Sequence, residues 1–326
     1  MKKLSKNLQE IIELLNDCNF HDGTSLGEKL NITRAGIWKL IRKLQDYGVG
    51  FEAIKGKGYR LTKPLILLNK NIIKKQIKTK LSIETFATIS STMDYFKENH
   101  DHKNIKICLA ELQTTGRGRF NRKWHSPFAQ NLTFSIGYPF AKDISQLAGL
   151  STVVGISICQ SLKNYQLPKA LKLKWPNDII YDEKKLAGVL IEIEAETNGW
   201  CNAIIGIGLN ANLQHCSKQT ISQPWTSLKT ITGKYIDRNL LCINIIKYLL
   251  ANLEKFSKQG LTPFMSIWKN YDYLYGKKVT LQNFNKKLTG IAQGINKSGH
   301  LLLRQRNEKI IECSSGETSI SKTLQK

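Results

Sequence analysis

Three stretches of the chain concentrate residues able to do chemistry. The first is Gln113-Thr114-Thr115-Gly116-Arg117-Gly118-Arg119-Phe120-Asn121-Arg122-Lys123-Trp124. Its two glycines let the backbone fold tightly and present N–H groups. Three arginines and a lysine fall within seven residues. Guanidinium groups bind phosphate and carboxylate in a bidentate way, so this loop suits a ligand with more than one anionic group. The same composition equally suits a loop that binds RNA or DNA. The Gly-Lys-Ser/Thr ending of a P-loop is absent.

The second stretch runs from Lys174-Trp175-Pro176-Asn177-Asp178 to Lys185-Leu186-Ala187-Gly188-Val189. It predicts a turn at Asn177-Asp178 after a strand, Lys185 on the next strand or turn, and an apolar run from Gly188. Taken alone, it reads first as a plain hairpin with a polar tip in solvent, since polar turn residues are ordinary. The third is Gly206-Ile207-Gly208-Leu209-Asn210, whose glycines permit close approach of backbone to a ligand and whose Asn210 could bond a base or a ribose. From residue types alone, the ligand is anionic and nucleotide-like.

These stretches need elements to hold them. Residues 1–64 carry apolar positions at helical spacing in Asn7–Leu15, then Gly23-Thr24-Ser25 as an N-cap for a short helix Leu26–Leu30. Thr33 caps a second helix with Ile37, Leu40, Ile41 and Leu44 on one face. Strands Phe51–Ile54 and Tyr59–Leu61 flank the tight turn Lys55-Gly56-Lys57-Gly58, and Pro64 ends the pattern. This is a winged helix-turn-helix. Its second helix would enter the major groove, presenting Thr33, Arg34, Trp38 and Arg42.

Residues 81–273 mix strands (Lys106–Glu111, Asn131–Ile136, Val189–Ile193, Ala203–Ile207) with helices (Thr92–Glu98, Ile144–Tyr165, Leu240–Phe256). That pattern predicts an α+β domain on a mixed or antiparallel sheet. Residues 274–326 read as short strands (Lys278–Leu281, Lys287–Ala292, Leu301–Leu303, Lys309–Cys313), with turns at Asn283, Asn285, Asn296 and Gly299. They suggest a small SH3-like β-barrel.

Composition narrows the class without locating the site. The net charge is +24, of which residues 1–64 hold +5, nearly the density of the rest. The excess is therefore a chain-wide lysine bias, and a nucleic-acid function must rest on the helix-turn-helix. Seven scattered cysteines, none in Cys-x-x-Cys, argue against a disulfide framework or a zinc site and predict free thiols in a reducing cytoplasm. The polar start and the absence of an apolar run near ~20 residues predict neither secretion signal nor membrane partner.

Taken in order, Gly-Arg-Gly-Arg-x-x-Arg-x-Trp, Lys-Trp-Pro-Asn-Asp, Lys-Leu-Ala-Gly and Gly-x-Gly-x-Asn resemble the biotin protein ligase family. With the winged helix, the resemblance extends over the whole chain to its bifunctional form, the biotin operon repressors. It implies that ATP and biotin form biotinyl-5′-AMP, and that biotin then passes to a lysine of the biotin carboxyl carrier protein of acetyl-CoA carboxylase. It further implies Mg²⁺ on the triphosphate, a homodimer when biotinyl-AMP is bound, and repression at the operator of biotin genes. No protein metal ligand is expected.

The same resemblance implies roles. Arg119, Lys185 and Asp178 are the catalytic candidates, Lys185 beside the reacting carboxylate and phosphate and Asp178 for the incoming amine. Ser91, Thr92, Met93 and Gln113 map to the biotin pocket, and Trp124 is expected to pack under the arginine loop. Gly116, Arg117, Gly118, Arg119, Arg122, Asn177, Lys185, Gly188, Gly206, Gly208 and Asn210 complete the ligand set. Met93 departs from the family's Asn, and its thioether cannot hydrogen-bond as an amide does. An arginine loop so rich in glycine and like charge is expected to be loosely held when empty. The alternatives are a ligand-sensing transcription factor without ligase activity, and an acyl ligase for lipoate.

Overall fold

The computed structural model describes residues 1–99, 103–195, 199–216, 221, 223–283 and 286–320. It begins with helices α1 (Lys6–Leu15), α2 (Gly23–Leu30) and α3 (Arg34–Asp46) and the hairpin β1 (Phe51–Ile54) and β2 (Gly58–Leu61). Leu8, Ile11, Ile12 and Leu15 of α1 meet Leu26, Ile37, Ile41 and Leu44 in one buried cluster. The α2 cap differs from the sequence reading. Asp22 accepts hydrogen bonds from the backbone N–H of Thr24 and Ser25, so the helix starts at Gly23. Thr33 caps α3 as expected, accepting from the N–H of Gly36.

After α4 (Lys70–Lys75) come β3 (Ser82–Ile89), α5 (Asp94–Glu98), β4 (Lys106–Gln113), β5 (Leu132–Phe140) and α6 (Leu150–Ser161). Strands β6 (Lys172–Lys174), β7 (Asp178–Tyr181), β8 (Lys184–Ala195) and β9 (Cys201–Leu209) follow, then α7 (Leu228–Thr232), α8 (Arg238–Gln259) and α9 (Met265–Tyr271). Seven strands form one sheet in the order β3-β4-β5-β9-β8-β7-β6, with β3 and β4 parallel and the other pairs antiparallel. The period-2 pattern splits this sheet in two. Ile205, Ile207, Leu209, Ala187 and Val189 face the main core with α6 and α8. Gly206, Gly208, Gly188 and Leu190, on the alternate positions, line an open cavity on the other face.

Two expected helices are shorter than their patterns. Thr92–Glu98 becomes a turn followed by α5, and Ile144–Tyr165 becomes α6 between two 3-10 turns, with Gly149 at φ 83° before it. Ile144–Tyr165 is long and apolar enough by composition to cross a membrane. Its helix is instead a core element, with Val153, Val154, Ile156 and Ile158 fully buried.

The tail folds as β10 (Lys278–Asn283), β11 (Lys286–Ile295), β12 (Leu301–Arg304), β13 (Ile310–Cys313) and β14 (Glu317–Ile320), a five-stranded antiparallel sheet ordered β13-β12-β11-β10-β14. Strand β14 was not anticipated, Asn283 ends a strand, and Asn285 and the last residues of the tail, 321–326, lie outside the described residues. The tail is fastened to the central domain: the Trp175 indole N–H donates to the Gly299 carbonyl (2.9 Å) and the Thr318 hydroxyl to the Trp175 carbonyl (3.0 Å).

The connection from the winged helix is fastened too. Arg238, fully buried, pairs with Glu111 at 2.7 Å and donates to the Ile66 carbonyl at 2.6 Å. Glu111 accepts from the Leu68 N–H, and Asn239 bonds both Leu67 and Asn69. Removing either buried charge would strand the other, typically at ~3–5 kcal/mol.

Candidate active site

The cavity is about 370 Å³ and sits where the ends of β3, β4, β8 and β9 meet the arginine loop and β14. It gathers Ser91, Thr92, Met93, Gln113, Arg117, Gly118, Arg119, Arg122, Trp124, Asn177, Asp178, Lys185, Gly188, Gly206 and Gly208. These come from four separate regions of the chain, and nearly every candidate from the sequence is among them. Two are not. Gly116 is buried and accepts from the Trp124 N–H at 2.8 Å, closing the base of the loop. Asn210 is buried with its amide committed elsewhere, donating to the Thr226 carbonyl (3.0 Å) and accepting from the Asn131 amide (3.2 Å). It holds the segment after β9 in place and is not among the residues that line the cavity.

Lys185 reaches the cavity because β8 carries a bulge. Ile179 pairs with Ala187 but Ile180 pairs with Lys185, so Leu186 is the extra residue. Leu186 and Ala187 consequently both enter the main core, and Lys185 turns to the same face as Gly188. Bulges re-aim side chains in this way. The Lys185 ammonium lies 2.7 Å from the Asp178 carboxylate on β7 and 5.8 Å from the centre of the Trp124 ring. Its backbone is held by Pro224 and Thr226. A Cβ on Gly188 would stand 3.1 Å from Lys185 Cε and 3.2 Å from Nζ, so the lysine lies across that glycine.

The arginine loop is folded onto carboxylates. Arg117 pairs with Asp94 (2.8 Å) and reaches Glu192 (3.4 Å), Arg122 pairs with Glu317 of β14, and Arg119 donates to the Gly316 carbonyl (3.2 Å). Bonds from Gly118 N–H to the Arg122 carbonyl and from Arg122 N–H to the Arg119 carbonyl close it on itself. These acidic partners lie on α5, β8 and β14, all distant in sequence from the loop. Burial pushes the Arg119 guanidinium below the usual arginine range, against the pull of Glu317 and Asp178.

At the opposite end the Thr92 hydroxyl and N–H meet the Gln113 side-chain oxygen (3.1 and 2.7 Å), and the hydroxyl also meets Ser135 (2.7 Å). Met93 is 3% exposed and packs with Phe86, Ile89 and Phe96. A Cβ on Gly206 would lie 2.8 Å from its sulfur, and one on Gly208 2.4 Å from the Trp124 ring. The two glycines thus make room for Met93 and for the indole. Trp124 lies over β9 at the foot of the loop. Asn177 fastens its turn to β8 by exchanging hydrogen bonds with Val189.

Residue types alone did not single out Lys174, Gln223, Glu317, Thr318 and Ser319, which also line the cavity. Lys174 stood inside the quoted Lys-Trp-Pro-Asn-Asp run. The others come from segments with no local signal. Burial pushes the Lys174 ammonium below the ordinary lysine range, partly offset by Asp178. The cavity wall therefore combines a cationic group (Arg117, Arg119, Arg122, Lys174, Lys185) with a recess side of hydroxyl, amide and apolar residues (Ser91, Thr92, Gln113, Met93).

In the winged helix, Arg34, Trp38 and Arg42 recur at i, i+4 and i+8, all exposed, with Thr33 exposed at the start of the stripe. The Arg42 guanidinium lies 5.5 Å from the centre of the Trp38 ring.

Comparisons with known proteins follow this division. Residues 7–60 match a family model described as an HTH domain, residues 85–210 the biotin/lipoate A/B protein ligase family, and residues 275–321 the biotin protein ligase C terminal domain. The chain is 37% identical to the bifunctional ligase/repressor BirA of Escherichia coli (strain K12) over 297 residues, 91% of this chain and 92% of that one. It is 30% identical to the protein of the same description from Bacillus subtilis (strain 168), over 96% and 98% of the two chains. The solved structure of biotin protein ligase from Aquifex aeolicus in complex with biotin and ATP superposes with a TM-score of 0.64 at 30% identity, covering 74% of this chain and 99% of that one.

Proposed function

Because the chain belongs to the family of bifunctional biotin ligase/repressors, we propose that it activates biotin with ATP and transfers it to a carrier-protein lysine, and that its winged helix represses transcription of biotin genes. The observation that carries the ligase half is the Lys185–Asp178 pair in a cavity lined by both the cationic group and the recess side. A reaction that first joins two anions and then needs an amine acceptor has a use for both.

In the first step the biotin carboxylate attacks the α-phosphate of ATP, and pyrophosphate leaves. Two anions must approach, so cations fixed in advance lower the barrier. Arg117, Arg119 and Arg122 and the loop amides take the phosphates, and Lys185 sits between carboxylate and α-phosphate. Arg117 and Arg122 must release Asp94 and Glu317. Both pairs are partly exposed, and such pairs contribute only ~0–1 kcal/mol, so a triphosphate outcompetes them. In the second step the acceptor amine attacks the acyl carbonyl and AMP leaves. An amine with a pKa near ~10 is mostly protonated at neutral pH, and Asp178 is placed to take that proton.

Mg²⁺ prefers a few carboxylate oxygens plus phosphate oxygens. Asp178 and Glu317 are carboxylates on the cavity wall, and no cluster of three or more metal-ligating side chains stands among the described residues. That donor set fits an ion arriving with its triphosphate, whose charge it neutralises when bound. Ser91, Thr92 and Gln113 would face the polar ring of biotin, and Met93 with Leu190 its apolar edge. For the repressor half, α3 presents its stripe to the major groove. One such helix reads a short site, so two chains on paired half-sites supply specificity. Occupancy by biotinyl-AMP would favour that dimer, and by linkage the dimer would favour the ligand. The acceptor is the biotin carboxyl carrier protein, and free thiols at all seven cysteines suit a cytoplasmic setting.

Biotin-dependent exchange of radiolabelled pyrophosphate into ATP tests the first step. Exchange with biotin and none with lipoate supports this reading, and exchange with lipoate alone favours the related acyl ligase.

A further inference from the structure

The DNA-binding module touches segments that adjoin the cavity lining, as well as the linker. Tyr47, at the C-terminal end of α3, stacks on Phe128 with ring centres 4.7 Å apart and planes 7° from parallel. Tyr47 packs on the winged-helix core, and its N–H is bonded back to Leu44 and Lys43. Phe128 is 3% exposed and lies four residues beyond Trp124. The stretch Trp124–Ala129 is tied to β4 on either side of Phe128: the Ser126 hydroxyl accepts from the Gln113 N–H (3.3 Å), and the Ala129 N–H donates to the Glu111 carbonyl (3.0 Å). Gln113 and Trp124 line the cavity.

A second contact falls on the neighbouring wall. Lys2 exchanges backbone hydrogen bonds with Ala87 and Thr88 at the edge of β3, and Lys3 pairs with Glu84 at 2.9 Å. Strand β3 runs directly into Ser90, Ser91 and Thr92. A third is the linker itself, whose Leu68 N–H rests on Glu111, two residues before Gln113. All three contacts converge on the recess formed by Ser91, Thr92, Gln113 and Trp124, and none touches Lys185 or Asp178.

We propose that Tyr47 of the DNA-binding module is a positioning residue for the ligase cavity, holding the Trp124–Ala129 segment and through it Gln113 by its stack on Phe128. The inference rests on the ligase reading above and extends it: one wall of the substrate recess is propped from another domain within the same chain. Its effect should fall on binding of the acid rather than on the chemical step, because the ties from Phe128 run to Gln113 and Glu111 on β4 and none of them bonds Lys185 or Asp178.

The test is biotin-dependent ATP–pyrophosphate exchange by the full-length protein and its Tyr47→Ala and Tyr47→Phe variants. An aromatic stack of this kind is worth roughly a threefold to tenfold change in an equilibrium constant. Tyr47→Ala should raise the KM for biotin by that factor with kcat within about twofold, and Tyr47→Phe, which keeps the ring, should restore it. If Tyr47→Ala unfolds the winged helix, Phe128→Leu removes the stack from the other side and should give the same KM shift. An unchanged KM in Tyr47→Ala or Phe128→Leu overturns the proposal, as does a Tyr47→Phe variant as impaired as Tyr47→Ala. Wild-type protein without exchange would overturn the ligase reading as well, whereas exchange indifferent to Tyr47 leaves that reading standing.

Discussion

Lys185 and Asp178 lie 2.7 Å apart on adjacent strands because a single bulged residue, Leu186, rotates the lysine from the core face of the sheet to the cavity face. The pair is four-fifths buried on both sides, where charge interacts more strongly than in water. Lys185→Ala should lower the rate of pyrophosphate release by ~10²–10³ while biotin binding stays measurable. A near-normal rate would remove Lys185 from the reaction.

Gly188 gives an independent handle on the same geometry. Its missing Cβ is where the Lys185 side chain passes, at 3.1–3.2 Å. Gly188→Ala should displace the ammonium from Asp178 at little cost to folding, since the neighbour that must give is the end of a flexible side chain. A fall in kcat of about tenfold or more, ~1.4 kcal/mol, with an unchanged melting temperature is the expected result.

Lys174 should trade stability for function. Burial lowers its pKa, so the unfolded chain binds the extra proton more readily. Its contribution to stability is therefore unfavourable at neutral pH and recovers as pH rises from its lowered folded value toward the ordinary lysine value of 10.5. Lys174→Met should raise the melting temperature at pH 7, lose that advantage at alkaline pH, and raise the KM for ATP. Thermal melts across this range, with ATP titrations, check both halves.

Arg34→Ala should weaken binding to the biotin-gene operator by ~1–3 kcal/mol and leave biotin ligation unchanged. Arg34 is exposed on the first turn of α3, and the module meets the ligase domain through other residues, among them Lys2, Lys3, Tyr47 and Lys63. Electrophoretic mobility shifts on the protein's own promoter, with unchanged affinity as the contrary result, decide the reading helix.

Much of this was legible in the sequence because its signals are local. Apolar spacing marked α1, α3 and α8, and glycine and arginine at fixed offsets marked the loop. What was not legible depends on partners distant in the chain. The acids that hold the loop lie on α5, β8 and β14, and β14 has too short a pattern to announce itself. Asn210 looked like a ligand contact by type, but its amide was already needed by Thr226 and Asn131. The bulge at Leu186 leaves no trace in a run of apolar residues, yet it decides where Lys185 points.

The central claim is that one chain activates biotin and delivers it to a lysine. The most direct measurement is incubation of the protein with ATP, Mg²⁺, radiolabelled biotin or lipoate, and a carrier domain, followed by counting label in the carrier. Covalent label from biotin only is expected, lost when the acceptor lysine is replaced and in the Lys185→Ala variant. Label from lipoate instead, or none from biotin despite tight binding, would contradict it.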